Sequence, residues 1–481
     1  MSAPARNADK GGAPTAPVAP SPAMIVVGKD VLELLSSAMY VDPLSIYREY
    51  VQNAADAIDE AHEQGVMSRG TKGRVDITVD GVDRKIIVRD NGSGIPVDDA
   101  VSRLLAIGAS SKRGTSARGF RGVGRLAGLA YGRALTFRTR AKGDDEIVEL
   151  RWDCQRLRAA LRDVVESDDI ASVIQRIVSI SRLPGGDWPE HFFEVELNDV
   201  LRTRRDSLLN VALIRDYLEQ VAPVPLAEEF SWADEIAAHL SDVRLGNLHI
   251  SLNDGPALRR PFQDQFHVTD SIVDQFDGVE LLTLSDLDGG TAAVGWLMQH
   301  GYRGSITSRA RIAGVRARVG NVQIGDPSLL EDIFPEARFN GWSVGEMHIL
   351  DPRIIPNARR DNFEQNIHFS NLTAQLEPLG RRIAKSARNA SIARNAARRA
   401  ETEYLVTQRP DPTDPKRVSE ADVAGAVDAL CNNEMSKAPG SSSSGGRFSL
   451  SQRMFAKKIK ALAKQSGLNA REIRDVLHDL I

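Results

Sequence analysis

Apolar and polar positions alternate along the chain with periods that change repeatedly, which predicts a mixture of helices and strands. Over residues 45–64 the apolar positions recur at helical spacing and predict a helix. The runs Val75-Asp76-Ile77-Thr78-Val79 and Lys85-Ile86-Ile87-Val88-Arg89 predict strands, and the turn between them contains Asp80-Gly81, a hairpin signal. A glycine-rich stretch over 108–124 then opens a small-residue helix near 125–131, and 192–197 alternates as a late strand does. A second region, 206–366, mixes the two patterns again, with 248–252 and 317–322 reading as strands. A long helical stretch covers 371–404, and 448–481 reads as two short amphipathic helices. Gly467 stops the first of these, and Asn469 with Glu472 resembles a capping box for the second. No internal repeat appears.

The pattern divides the chain into six parts. Residues 1–23, rich in Ala, Pro, Gly and Ser, are expected to be a disordered tail, because they cannot bury enough apolar area to offset their ordering entropy. Residues 24–205 form a first α/β domain, 206–366 a mixed α/β middle domain, and 367–407 a basic helical segment. A linker region, 408–447, contains the run Ala-Pro-Gly-Ser-Ser-Ser-Ser-Gly-Gly, and 448–481 is a helical module. The fold class is therefore α+β, with helical C-terminal parts. A length of 481 residues agrees with about three globular domains.

Composition changes this picture little. Lys plus Arg (61) nearly balances Asp plus Glu (65), which excludes a uniformly basic nucleic-acid binder but not a local basic surface. Such a surface is present: residues 371–400 hold seven Arg or Lys and one Glu, a net of +6. The two cysteines, Cys154 and Cys431, support neither a disulfide scaffold nor a thiolate zinc site, and a reducing, cytoplasmic location is expected. No apolar run is long enough for a membrane span, and no apolar stretch follows Arg6 and Lys10 as a secretory signal requires. None of the nine histidines lies at metal-ligand spacing with another His or with a Cys.

Three clusters carry candidate chemistry. In the first, Glu49, Asn53 and Asp56 lie at i, i+4 and i+7 and share one helix face, with alanines at 54, 55 and 57 between them. That face is either a solvated polar stripe or a site that something bulky approaches closely. In the second, Asp90-Asn91-Gly92-Ser93-Gly94-Ile95-Pro96 takes the chain from an apolar strand into an acidic, glycine-containing loop. It is either an Asn-Gly turn or a pocket for a flat ligand whose exocyclic amine meets the carboxylate. In the third, Gly108 through Lys112 and Gly119 through Arg125 form a basic glycine-rich segment ending at a helix start, suited to a polyphosphate. Neither a P-loop nor a dinucleotide-binding G-x-G-x-x-G occurs in the required setting.

In this order the three clusters resemble the GHKL superfamily, whose nucleotide site is the Bergerat fold, a sandwich of helices on a mixed β-sheet. That superfamily includes gyrase-type topoisomerases, MutL-type repair proteins, MORC proteins, histidine kinases and the ninety-kilodalton heat-shock chaperones. The string REYVQNAADAIDEA, and the segment from Ile107 to Lys112 with its following GVG, look most like the bacterial chaperone branch, and GFRG at 119–122 looks MutL-like. The resemblance implies ATP binding and Mg²⁺-dependent hydrolysis. It implies that Glu49 is the general base and that Asn53 binds Mg²⁺. It also implies that Asp56 lies in the nucleotide site and that Asp90 meets the adenine amine, with Gly92, Gly94 and Ile95 shaping the pocket. Gly108, Lys112, Gly119, Gly122, Val123 and Gly124 would hold the phosphates. Three positions depart from the pattern: Ala106 replaces an asparagine of the chaperones, Arg125 stands where an aromatic often follows the G-x-G, and no threonine occurs near 190–196.

In the second region, YLEQVAPVPLAEEF, GVRARVGNVQIGD and VGEMHILDPRIIPNARRDNFEQN look like the middle domain of chaperone-like members. The resemblance implies a middle-domain arginine that reaches the terminal phosphate; Arg316 and Arg318 are the first candidates and Arg360 the next. A homodimer and a protein client are also implied. The first functional expectation is a chaperone-like conformational machine driven by ATP. The alternatives are a nucleic-acid-associated ATPase of the MORC or MutL kind, contacting phosphates through 381–399, and a non-hydrolysing nucleotide sensor that scaffolds partners.

Overall fold

The computed structural model describes residues 42–68, 70–107, 124–162 and 169–407. The tail 1–23, the linker 408–447, the module 448–481, and Gly108, Lys112, Gly119, Gly122 and Val123 lie outside the described residues. The chain divides into two compact units, Met1–Ala400 and Glu401–Ile481, and both sheets described below lie in the first.

The predicted first helix is α1, Ser45–Glu63. The predicted hairpin is β1, Arg74–Asp80, with β2, Lys85–Asp90, paired antiparallel with Val75 opposite Asp90. Its loop is longer than a two-residue turn. Asp80 Oδ1 accepts from the amides of Val82 and Asp83 at 2.8 and 2.9 Å, and Arg84 takes the left-handed conformation (φ 52°). There follow α2, Val97–Leu105, and a 3₁₀ helix at Gly124–Ala130 where a small-residue helix was expected. The domain continues with β3, Ala134–Arg140, β4, Glu146–Asp153, α3, Cys154–Arg162, α4, Ile170–Ile177, β5, Val178–Pro184, and β6, Phe192–Asn198.

The boundary expected at 205/206 does not coincide with the edge of the first core. Helix α5, Val211–Val221, places Ile214, Leu218 and Val221 in the same hydrophobic cluster as α1 and β1. The expected strand near 248–252 is β7, His249–Leu252, and it pairs in parallel with β1. The first sheet is thus seven-stranded, ordered β5-β4-β3-β6-β2-β1-β7. Its apolar face packs against α1, α3, α4 and α5. On the other face Arg138 bonds Glu149, Glu194 and Glu196, and Arg89 lies 5.0 Å from the ring of Trp188.

The second sheet contains β8, Gln265–Thr269, β9, Ile272–Ser285, β10, Thr291–His300, β11, Gly314–Val319, β12, Val322–Ile324, and β13, Val344–Ile349. Their order is β12-β11-β13-β10-β9-β8. The run 317–322, expected as one strand, is interrupted by a turn. Gly320 and Asn321 both have positive φ (54° and 65°), the geometry of a two-residue hairpin turn that folds β12 back onto β11. Helix α6, Ala233–His239, contributes Ile236 to a core on one face with Phe262, Phe266 and Trp296. The long helix is α7, Ile367–Thr407, and its first half covers the other face through Phe369, Leu372, Leu376 and Ile383. No helix of the described residues is long and apolar enough to cross a membrane.

Candidate functional site

Helix α1 is enclosed almost all round. Its apolar side chains Tyr47, Tyr50, Val51, Ala54 and Ile58 fill the first core. Its polar face is enclosed too: Glu49 is 6% exposed, Gln52 1% and Asp56 5%, while Asn53 is half-buried. This decides between the two readings of the stripe, because polar groups on a solvated face would keep their water. Carboxylates enclosed in this way need partners that offset their desolvation.

The Asp90–Ile95 loop lies against this helix. Gly92 rests on Ala57, whose Cβ would lie 2.7 Å from any side chain carried by Gly92. The alanine spacing therefore admits a backbone of the same chain. The Ser93 amide donates to the Ala57 carbonyl at 3.0 Å, and the Gly92 amide to Asp90 Oδ1 at 2.8 Å. Asp90 itself is 5% exposed at the end of β2. Gly94 has φ +67° and abuts the Arg140 carbonyl, so a side chain there would be strained and would collide.

Two residues of this loop's surroundings escaped the sequence reading. Thr139, fully buried on β3, accepts from the Ile95 amide at 2.8 Å and donates to the Phe192 carbonyl at 3.2 Å. No threonine occurs near 190–196, on the late strand β6; Thr139 lies on β3, the strand paired with it. His191 Nδ1 lies 2.7 Å from the Gly92 carbonyl and donates to it. Nothing in the sequence marks His191, since the bond spans 99 positions.

The far side of the site is built by Gly124, Arg125 and a loop of the second region. A Cβ at Gly124 would collide with Glu49 Oε2, so glycine allows the chain to pass directly over the carboxylate. Arg125 donates from Nε to the Leu104 carbonyl at 3.3 Å and from Nη2 to the Ala106 carbonyl. Burial pushes its guanidinium below its ordinary value.

Arg360, not Arg316 or Arg318, is the arginine of the second region that meets Glu49. Its Nε lies 3.6 Å from Glu49 Oε1, and its Nη1 donates to Gln52 Oε1. Arg360 is held in the left-handed conformation (φ 56°), a position costly for a residue with a side chain. Three contacts hold it there. The Gly325 amide donates to the Arg360 carbonyl at 2.8 Å, and Arg48, next to Glu49, donates to the carbonyls of Arg360 and Arg359 at 3.4 and 3.1 Å.

The expected phosphate arginines are engaged elsewhere. Arg316 and Arg318, both 1% exposed, project from β11 toward the end of α5. Arg316 donates to Gln323, Gln220 and the Arg311 carbonyl. Arg318 donates to Glu346 Oε1 at 2.7 Å and to the Asn321 carbonyl at 2.8 Å. Arg260 shares the same carboxylate. Burial lowers all three guanidiniums, Arg260 to about 9 and Arg316 to about 10. This cluster ties β11 to α5, and its hydrogen bonds among the described residues do not reach Glu49, Asn53 or Asp90.

With this geometry in view, similarity to known proteins is informative. The family of histidine kinase-, DNA gyrase B- and HSP90-like ATPases matches residues 45–177. Chaperone protein HtpG of Anaplasma marginale is 35% identical over 89 residues, 18% of this chain and 14% of that protein. HtpG of Burkholderia cenocepacia is 25% identical over 213 residues, 36% of this chain and 34% of that protein. HtpG of Geobacter sulfurreducens is 25% identical over 143 residues, 26% of this chain and 22% of that protein. The chain thus spans about a third or less of the length of these relatives. Residues 45–177, which carry the Glu49 helix and the Asp90 loop, are a GHKL-type ATPase domain akin to that of the ninety-kilodalton heat-shock chaperones.

Proposed function

We propose that the chain binds ATP between α1 and the Asp90–Ile95 loop, hydrolyses it, and uses the cycle to move the second region against the first, as a chaperone-like conformational machine. The observation that carries this reading is the meeting of Glu49 with Arg360, two residues 311 positions apart. A carboxylate that takes a proton from water and a guanidinium that stabilises charge on the departing phosphate are the two groups that phosphoryl transfer to water needs close together. Asp90 receives the adenine amine, and the loop around it is fixed by Ala57, Thr139 and His191 before any ligand arrives.

Asn53 fits the Mg²⁺ role. It lies one turn from Glu49, and its amide makes no hydrogen bond with any described residue, so a hard oxygen ligand is on offer. Bound there, the ion would neutralise charge on the phosphates.

Two variants test the reading. Glu49→Ala should retain ATP affinity and lose roughly 10²–10⁴-fold in turnover, the usual worth of a positioned base. Asp90→Asn should abolish binding, because an amide presents the adenine with a donor where an acceptor is needed. Equal loss of binding in both, measured by calorimetry, would overturn the assigned roles. The homodimer and protein client implied by the relatives belong to the same proposal, and capture of partners by the ATP-loaded Glu49→Ala protein tests them. The nucleic-acid reading keeps less support: Arg381, Arg382 and Arg388 of α7 are paired with Glu377, Glu280 and Glu336.

A further inference from the structure

Arg125 is a partly enclosed cation that faces no carboxylate among the described residues. Its partners are the carbonyls of Leu104 and Ala106. Leu104 lies in the last turn of α2, where carbonyls lack an intrahelical donor and favour a cation. These bonds hold the guanidinium against the carboxyl end of α2 and Ala106. Its neighbour in the chain, Gly124, passes over Glu49.

A guanidinium has five N–H donors, and the described contacts use two. Burying such a group without a counter-charge is costly, and the cost is removed when an anion arrives. The same position explains a second departure. Ala106 offers no side-chain donor where the chaperones carry an amide, and Arg125 reaches to that very residue.

We propose that Arg125 is a phosphate ligand of the nucleotide site, replacing the missing side-chain amide at position 106 and making the site select nucleoside di- and triphosphates over nucleosides. The proposal rests on the ATP-binding reading above and names a residue that reading does not use. In isolation the Leu104 and Ala106 contacts are also what a purely structural staple would make, and the two roles differ in what they discriminate.

The test is calorimetric binding of ATP, ADP, adenosine and inorganic tripolyphosphate to the full chain and to Arg125→Gln and Arg125→Lys. A lost charged hydrogen bond predicts that Arg125→Gln weakens ATP, ADP and tripolyphosphate by roughly 10- to 100-fold and leaves adenosine unchanged. Arg125→Lys keeps the charge without the planar fork, so its loss should be smaller and confined to the same three ligands. If Arg125→Gln does not fold, the lysine variant decides by the same criterion. Equal weakening of ATP and adenosine, or no weakening of either, overturns the proposal and leaves ATP binding standing. Failure of the unaltered protein to bind ATP and adenosine alike sinks the ATP-binding reading, and this one with it.

Discussion

Two groups of buried arginines in this molecule do different work. Around Glu49, Arg48 and Arg360 cross between the first and second regions: each holds a backbone or side chain that came from the other, and Arg360 does so from a left-handed position. Around Glu346, Arg260 and Arg318 share one carboxylate, and the carbonyls of Val224, Gln220, Ala222 and Asn321 take most of their remaining donors. The first group lies beside Glu49, one turn from Asn53, whereas the second is spent on Glu346 and on neighbouring backbone carbonyls. Which groups its donors meet, more than its burial, separates an arginine beside the candidate site from one that only holds the fold together.

The largest effect expected from this contrast is at Glu346. Glu346→Ala leaves two enclosed guanidiniums, Arg260 and Arg318, without their carboxylate and should cost about 3–5 kcal/mol, read by urea denaturation. Nucleotide affinity of the protein that remains folded should be unchanged. A loss below about 1 kcal/mol would show that backbone carbonyls alone compensate the cluster.

Next in size is Arg360. Arg360→Ala should lower turnover by roughly 10²–10³-fold, as loss of a charge-stabilising donor does, with little change in ATP affinity. Arg316→Gln should do the reverse, lowering stability while turnover per folded molecule holds. If Arg316→Gln and not Arg360→Ala slows turnover, the two groups have exchanged roles in the working state.

A smaller effect is linked to pH. Burial, and then the charges of Arg260 and Arg318, hold His348 neutral well below its ordinary range. The unfolded chain takes up a proton as pH falls through about 6.5, and the folded protein does not. Stability is therefore present above that range and lost as pH falls, by up to about 1.4 kcal/mol per pH unit. His348→Gln should flatten the slope between pH 5 and 7 in denaturation curves; an unchanged slope would exclude His348 as its source.

The smallest effect concerns α7. Three of the seven basic residues of 381–399, Arg381, Arg382 and Arg388, are paired to glutamates, which leaves at most four others to contact phosphates. Any duplex DNA affinity should then fall with salt at a log–log slope no steeper than about −4. A steeper slope would mean that those ion pairs open on binding and would revive the nucleic-acid reading.

Local chemistry was legible in the sequence, and long-range partnership was not. Glu49, Asn53 and Asp56 share a helix face because their spacing requires it, and β1 with β2 follows from alternation around a short loop. The ranking of Arg316 and Arg318 above Arg360 does not match their distances from Glu49, for a physical reason. On a strand, residues two apart share a face, and nothing local says whether that face looks into a ligand site or onto another helix. Thr139 and His191 were invisible for the same reason, since their bonds to Ile95 and Gly92 span 44 and 99 positions. The turn at Gly320-Asn321 was readable from the dipeptide and was overlooked in favour of the apolar run around it.

The parallel pairing of β7 with β1 bears on how this protein is made. The outermost partner of β1 emerges from the ribosome roughly 175 residues after β1 itself (249 − 74). Until then β1 has a bare hydrogen-bonding edge, the kind of surface on which nascent chains pair with the wrong neighbour. Synthesis interrupted after the family-matching segment would release a sheet lacking its final strand, so early termination should yield aggregates rather than a small working ATPase.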